Sequence, residues 1–231
     1  MIDVSRLEHA VVSIYPEIHR RVMSLVNDAD ERLLWKELSC CVLSSQVKYG
    51  VAVAAAEALE REAVLYHPTT SSDSLEIILR GPLLVDSRIH HYRFPKSKAV
   101  QLAATHAAVR ASADGLSGLL EGFTCAEEAR VWLVANAPGV GPKQASMFLR
   151  NTGMTYDLAV LDRHVIDYMR ELGISNPERP SNLSTLKGYA NRETVLKSYA
   201  RDLGMAVGLM DWAIWIVMRV FKAGDHKVVY S

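Results

Sequence analysis

The stretch Ala137-Pro138-Gly139-Val140-Gly141-Pro142-Lys143-Gln144-Ala145-Ser146 decides the fold of this chain. Its two glycines flank a single residue, and glycine permits a positive φ and leaves its amide uncovered by a Cβ atom. Pro142 suits the first position of a helix, where its missing N–H costs nothing. The pattern predicts a helix, a glycine turn and a second helix that ends at Gly153. Such a helix-hairpin-helix grips DNA phosphates without reading sequence, although a plain tight corner between helices fits the same residues.

The bulk composition indicates a globular chain without net charge. Of its 231 residues, 49% are apolar, which is enough to bury a sizeable core and argues against disorder. The 26 Lys and Arg residues balance the 26 Asp and Glu residues, and this balance weighs mildly against a nucleic-acid partner. A local basic patch can still bind a phosphate backbone when the average charge is zero.

Cysteine usage and the lack of a membrane-length apolar stretch point to the cytoplasm. Cys40, Cys41 and Cys125 form an odd set that suits reduced thiols, and the ligand count excludes an iron–sulfur cluster. No apolar stretch approaches the roughly 20 residues that span a bilayer. We therefore expect a soluble, cytoplasmic protein without a membrane partner.

Apolar residues recur at helical spacing along almost the whole chain, which predicts an all-α fold of about ten helices. The first helix is expected to stop at Pro16, because proline removes a backbone donor and clashes with the preceding turn. Only residues 227–230, near the end of the chain, have the pattern of an extended segment.

Lys143 and Asp162 are the candidate chemical groups. Lys143 stands near the positive end of its helix dipole, where a cation is disfavoured, so it is either a phosphate contact or an activated amine. Asp162 follows nineteen residues later, ahead of an apolar helical stripe, and is expected to be an N-cap. Capping can be its whole role, but a capping carboxylate beside a lysine can also assist chemistry. His164 can donate to a phosphate or be an ordinary surface histidine.

These residues resemble the helix-hairpin-helix DNA glycosylase superfamily, and most closely its type-2 8-oxoguanine glycosylase/lyases. The resemblance is most specific at Lys143 to Gly153 and at Ala159 to His164, and it extends over about residues 33–222. Three further segments are similar to the family: Leu43-Ser44-Ser45-Gln46, the run from Tyr92 to Ala99, and the run from Leu209 to Trp215.

The resemblance implies two helical domains with a DNA cleft between them. A helical barrel over 31–153 would carry the helix-hairpin-helix, and 1–30 with 154–231 would form the second domain. Lys143 would be the nucleophile and Asp162 the catalytic carboxylate of a bifunctional DNA glycosylase/AP lyase that excises an oxidised purine, with 8-oxoguanine as the leading substrate. The lysine would form a Schiff base, and β-elimination would follow.

The resemblance also bears on cofactors and on base specificity. No metal or organic cofactor is required, while a structural monovalent cation held by hairpin carbonyls is a family expectation. Type-2 enzymes stop shortly after their last helix and use the terminal carboxylate to read the damaged base. This chain continues through residues 225–231, which departs from that pattern at the base-reading position.

DNA contacts are expected from the hairpin and from a basic segment. Gln46 would fill the space that a flipped base leaves, against the alternative of a helix C-terminal cap. A cluster of Arg88, His90, His91 and the residues after them has Tyr92 and Phe94 interleaved, and a solvated loop is its alternative interpretation. The predicted DNA-binding residues are Gly139, Val140, Gly141, His164, Gln46, Arg93, Lys96 and Lys98.

The base pocket is less well specified by the sequence. Met147 lies one turn after Lys143 and could border it, while Trp212 and Trp215 could stack on a flipped base or simply fill the core. The expected partner is double-stranded DNA with a damaged or modified base, bound by a monomer at the nucleoid. Two alternatives stay open: the same chemistry on a different base, and a non-catalytic module that binds only the DNA backbone.

Overall fold

The computed structural model describes residues 4–24, 30–174 and 182–228, the last six by their backbone alone. Within these ranges the chain forms eleven helices and one two-stranded sheet, so the predicted helical fold class is confirmed. The chain divides into two compact units. The first unit holds the N-terminal helix and the chain from Thr155 onward, and the second holds the described chain up to Met154.

The elements follow one another with short connections. In chain order they are α1 (Val4–Ser24), α2 (Glu31–Leu43), α3 (Tyr49–Arg61), α4 (Ser72–Arg80), β1 (Pro82–Val85), β2 (Arg88–His91), α5 (Pro95–Ser112), α6 (Leu116–Glu121), α7 (Ala126–Asn136), α8 (Pro142–Asn151), α9 (Arg163–Glu171), α10 (Leu186–Asp202) and α11 (Val207–Val228).

Helix α1 runs through Pro16, which corrects the predicted stop at that residue. Its apolar stripe places Leu7 and Val11 fully in the core of the first unit, where α1 packs along α11. The stripe continues past the proline with Ile18 and Val22. Burial of this long face offsets the cost of about 3 kcal/mol that an interior proline imposes on a helix.

Helix α2 is the central element of the second unit and packs against α3, α5, α6 and α8. Trp35 and Leu38 of α2 are buried, as is Phe148 of α8. The packing of α2 on α8 holds the helix that carries Lys143 against the core of this unit.

The β-hairpin formed by β1 and β2 is a feature that the sequence pattern does not predict. Leu84 pairs with Ile89, and the turn places Asp86 and Ser87 at φ values of 50° and 61°. Both lie in the left-handed region that favours glycine or asparagine, so Asp-Ser lacks the usual sequence signature of this turn. Residues 88–91, which the loop interpretation left without regular structure, form the second strand.

Helix α11 continues to Val228, so the predicted extended segment is wrong where it begins, at Lys227. The rest of that prediction, at residues 229–230, lies outside the described residues. Taken singly, none of the described helices has both the length and the apolar character needed to cross a membrane. Helices α10 and α11 meet that test only as a pair, and the chain bends by 92° between them.

Candidate functional site

The glycine hairpin leads directly into α8, as predicted. Gly139 has a φ of +85°, which requires glycine, whereas Gly141 is extended and forms the N-cap ahead of Pro142. The N–H of Val140 donates to the carbonyl of Ala137 at 3.0 Å and closes the turn. Within the described ranges the N–H groups of Gly139 and Gly141 make no hydrogen bond, so both can bind an anion at the start of the helix.

The amide end of the Gln101 side chain, on α5, occupies the space beside Gly139. A Cβ atom on Gly139 would lie 2.3 Å from Oε1 of Gln101. This Oε1 atom is buried and has no hydrogen-bond partner among the described residues. A side chain at Gly139 would therefore force the Gln101 amide to move, in addition to the strain of a positive φ.

Lys143 occupies the first turn of α8 and is half-buried. The first turn of α8 contains no acidic residue, and within the described part of its own unit Lys143 forms no ion pair. Its charge acts on the buried thiol of Cys41 on α2. Burial raises the pKa of Cys41, Glu37 raises it further, and the charge of Lys143 opposes both. Lys143 therefore lies close to the end of α2, where the Sγ atom of Cys41 also donates to Oε1 of Glu37 at 3.6 Å.

Asp162 forms the N-cap of α9, as predicted. Its Oδ1 atom accepts the N–H of Val165 at 2.9 Å, and the side chain is half-buried. One carboxylate oxygen is therefore committed to the cap, while Oδ2 makes no hydrogen bond within the described residues of the first unit.

Three buried side chains hold the extended segment that leads into Asp162. Glu193 accepts the N–H of Ala159 at 2.8 Å, and Asp211 accepts the N–H of Val160 at 2.6 Å. The hydroxyl of Tyr189 accepts the N–H of Leu161 at 2.8 Å and donates to the carbonyl of Ala159, also at 2.8 Å. Three consecutive backbone donors are thus satisfied by side chains from α10 and α11 instead of by a strand.

The sequence reasoning did not identify these supporting residues. Each of them is at most 2% exposed. Asp211 was the one available signal, because it is the only charged residue in the otherwise apolar run from Val207 to Val217. A carboxylate on a buried helix face needs a partner, and here backbone N–H groups supply it.

His164 lies in the first turn of α9, two residues after Asp162. Burial lowers the pKa of His164, and Lys222 and Arg163 act in the same direction, whereas Asp162 opposes them. Its Nδ1 atom is buried and has no hydrogen-bond partner among the described residues. The imidazole is therefore neutral at physiological pH and can offer a single N–H to a phosphate.

Gln46 has the exposure expected of a residue that enters DNA. It follows α2 with a φ of +59°, a left-handed conformation that is uncommon for a residue other than glycine. The C-cap of α2 is Ser44, whose N–H donates to the carbonyl of Cys40 at 2.9 Å. The alternative in which Gln46 caps the helix is therefore wrong.

The basic cluster is divided between the surface and the interior. Arg93 and Lys96 are exposed, and the guanidinium of Arg93 lies 4.9 Å from the ring centroid of Phe94. Lys98 is only 7% exposed, and burial lowers its pKa, so it does not belong to an exposed patch as the sequence suggested. Lys98 lies on the buried face of α5 together with Leu102, Thr105 and Val109, which accounts for the difference.

The three candidate pocket residues differ in exposure. Met147 is 8% exposed on α8, which fits a core residue or the floor of a pocket. Trp212 is 37% exposed and is therefore not a core residue. Trp215 is half-buried with the guanidinium of Arg219 placed 4.4 Å from its ring centroid.

The predicted site residues fall into two groups. The second unit carries the hairpin amides, Lys143, Gln46 and Met147, whereas the first carries Asp162, His164 and the two tryptophans of α11. Among the residues the structure describes, no group of three or more His, Cys, Asp or Glu side chains is arranged to hold a metal ion.

Known proteins with related sequences and structures are glycosylases. Residues 17–205 match a family model described as 8-oxoguanine DNA glycosylase. The 8-oxoguanine DNA glycosylase/AP lyase of Sulfurisphaera tokodaii is 31% identical over 191 residues, which cover 83% of this chain and 84% of the relative. The crystal structure of the 8-oxoguanine DNA glycosylase of Thermotoga maritima is 27% identical with a TM-score of 0.70, over 92% of this chain and 93% of that one.

A third related structure contains DNA. The Methanocaldococcus jannaschii 8-oxoguanine glycosylase/lyase, crystallised in complex with 15mer DNA containing 8-oxoguanine, has a TM-score of 0.72 and 22% identity. The match covers 93% of this chain and 96% of that one, and at this identity it establishes a shared fold.

Proposed function

The chain belongs to the 8-oxoguanine DNA glycosylase family, and from this premise we propose that it excises 8-oxoguanine from duplex DNA and cleaves the strand at the resulting abasic site. The observation that carries the proposal is the position of Lys143, in the first turn of the helix that begins after Gly139 and Gly141. An amine nucleophile and an anion-binding turn are thus built on one rigid element, so a bound phosphate fixes the sugar relative to the amine.

The first step is base removal. A base inside a duplex is out of reach of a side chain, so the nucleotide is flipped out of the stack at a cost of a few kcal/mol. The neutral Nζ atom of Lys143 attacks C1′, the bond from C1′ to the base breaks, and the base leaves with the electron pair and takes up a proton. The carboxylate of Asp162 stabilises the positive charge that develops on the sugar.

The second step is strand cleavage. The aminated sugar opens to a protonated imine between C1′ and Nζ of Lys143. Loss of a proton from C2′ then sends an electron pair toward C3′, and the bond from C3′ to the 3′ phosphate oxygen breaks. Asp162 is the group that we assign to the proton transfers, because one of its oxygens remains outside the N-cap hydrogen bond.

The experiment that tests this function uses duplexes that each contain one altered base. We expect base release and strand scission on 8-oxoguanine, and borohydride should trap a covalent adduct with the protein. Lys143→Gln should lose base release, scission and the adduct while it retains DNA binding. Lys187→Gln, which changes an exposed lysine of α10 that has no assigned role, is the control and should retain the chemistry.

Two other outcomes of the same panel point to the alternative functions. Product only with another lesion or a modified base would mean the same chemistry with a different pocket. Binding without any product would mean a module that only grips the backbone.

The remaining parts of the proposal concern ions and assembly. A monovalent cation beside the hairpin would need oxygen ligands, and the unpartnered Oε1 of Gln101 next to Gly139 is suited to that purpose. The chemistry of Lys143 and Asp162 requires no other cofactor. We propose that the protein acts as a monomer on chromosomal DNA in the cytoplasm.

A further inference from the structure

The outer face of the β-hairpin exposes two large aliphatic side chains beside each other. Leu84 on β1 pairs directly with Ile89 on β2, and these residues are 72% and 70% exposed. The other face of the β-hairpin points toward the interior, because Leu83 is buried and Val85 is half-buried. One exposed aliphatic side chain is ordinary, but a cross-strand pair at a projecting turn forms a contiguous apolar patch, and such patches mark interaction sites.

The β-hairpin formed by β1 and β2 packs on α3. Cγ1 of Val85 lies 3.2 Å from the position that a Cβ atom on Gly50 would occupy. The two left-handed turn residues, Asp86 and Ser87, hold a backbone conformation that is costly for residues other than glycine. The packing of the strands on α3 maintains this turn, so the pair is presented in a defined orientation.

The β-hairpin is also bonded to the end of α2, just before the turn that carries Gln46. The residue after β2 is Tyr92, whose hydroxyl donates to the carbonyl of Leu43, the last residue of α2, at 2.7 Å. Gly50, against which Val85 packs, stands at the start of α3. The contacts of the β-hairpin thus lie just before and just after Gln46 in the chain, on the two ends of the connection between α2 and α3.

The charges around the aliphatic pair favour a polyanionic partner. Arg88, His91, Arg93 and Lys96 are all exposed. Asp86 is the only acidic residue between positions 82 and 98. An exposed apolar pair on a segment whose exposed charges are mainly cationic suits duplex DNA, in which phosphates flank apolar sugar and base edges.

We propose that the pair formed by Leu84 and Ile89 is a DNA-contacting wedge that presses on sugar and base edges in the minor groove beside the everted nucleotide. Proteins that bend DNA through the minor groove insert leucine or isoleucine at such positions, while cations bind the flanking phosphates. The wedge stabilises the unstacked duplex next to Gln46. This inference rests on the proposed function, since it assigns a further part of the same DNA interface.

The test measures binding of the full chain to a duplex with a tetrahydrofuran abasic-site analogue, with 2-aminopurine next to the lesion as a reporter of unstacking. Leu84→Ser/Ile89→Ser should bind about tenfold more weakly, with less 2-aminopurine fluorescence and an unchanged salt slope. Ile77→Ser, at a side chain that is 73% exposed on α4, is the matched control and should bind as the unmodified protein does. Arg88→Gln should instead reduce the salt slope by about one.

The outcomes separate this inference from the proposed function. If the unmodified protein excises 8-oxoguanine and the double variant matches it in affinity and fluorescence, the wedge is refuted and the function stands. A double variant that binds DNA normally but loses self-association in sedimentation would assign the patch to a second copy and also refute the wedge. Failure of the unmodified protein to bind or cleave any duplex would refute both. Thermal unfolding confirms that the variants are folded.

Discussion

The carboxylate of Asp211 accepts the backbone N–H of Val160 at 2.6 Å, and this bond links α11 to the segment that ends in Asp162. A short hydrogen bond between a buried carboxylate and a backbone amide is strong because the acceptor is charged and water is excluded. Asp162 lies two residues beyond Val160, so the position of its side chain depends on where this amide is held. The carboxylate that we propose as catalytic is therefore positioned by a residue to which the proposed chemistry assigns no step.

We predict that Asp211→Leu slows base release under single-turnover conditions by about a hundredfold, the loss that a misplacement of about 1 Å can cause. Asp211→Asn retains an oxygen acceptor of the same shape and should recover part of the rate. The affinity for DNA should change little, because the hairpin amides lie in the second unit.

Met218→Ala provides the control for stability. Met218 is 2% exposed on α11, and its truncation opens a cavity without removing a bond to the segment before Asp162. If Met218→Ala lowers the melting temperature as much as Asp211→Leu and slows base release equally, Asp211 has no positioning role beyond stability.

The N-cap of Asp162 and its proposed catalytic role can be separated by substitution. Asparagine caps a helix as well as aspartate does, so Asp162→Asn should change the free energy of unfolding by less than about 0.5 kcal/mol while base release falls by about a hundredfold. Asp162→Ala should lose the same activity and also about 1 kcal/mol of stability, because Val165 loses its acceptor. Denaturant unfolding and single-turnover kinetics measure the two effects, and full activity in Asp162→Asn would leave only the cap.

Local chemistry made the hairpin and the cap of α9 predictable from sequence. Gly139, Pro142 and Asp162 each specify a backbone conformation with their own side chain or the lack of one, and the structure places all three as expected. The continuation of α1 through Pro16 could not be predicted in this way, because it depends on packing against α11, nearly two hundred residues further along the chain.

The same limit explains the other differences. Lys98 is buried because α5 packs against α2 and α4. The residues around Lys98 in the sequence do not indicate this packing. The β-hairpin depends on contacts with α3 that sustain a left-handed Asp86-Ser87 turn. Glu193 and Tyr189 support the segment before Asp162 from about thirty residues away, and a side chain that bonds to a distant backbone leaves no periodic pattern in the sequence.

Gly139→Ala should destabilise the protein and weaken DNA binding. The new Cβ atom would lie 2.3 Å from Oε1 of Gln101, at a φ of +85°. Gly173→Ala is the matched control, because Gly173 also has a positive φ, of +67°, but its Cβ would meet nothing within 4 Å. The control should cost only the left-handed strain of about 1 kcal/mol, whereas Gly139→Ala should cost more and lower the affinity for duplex DNA. Equal losses of stability in the two variants, measured by denaturant unfolding, would show that the contact with Gln101 adds nothing.

The last prediction concerns the pH dependence of stability and rests on His106 of α5. This imidazole is 2% exposed and lies 5.3 Å from the ring of Trp35, and burial lowers its pKa below the ordinary value of 6.5. Arg110 acts in the same direction, while Glu31 and hydrogen bonds to the backbone of His67 and Leu65 oppose it.

Because the folded state binds this proton less readily than the unfolded chain does, the contribution of His106 is complete above pH 6.5 and is lost as the pH falls through the lower, folded-state value. The melting temperature of the unmodified protein should therefore fall between pH 7 and pH 5. His106→Gln removes the titrating group and should flatten this fall, although it costs some packing against Trp35 at every pH. His90→Gln, which changes a histidine of the β-hairpin, controls for a general effect of losing one imidazole. A His106→Gln curve parallel to that of the unmodified protein would show that the acid sensitivity arises elsewhere, and His164, whose pKa burial also lowers, is then the next residue to replace.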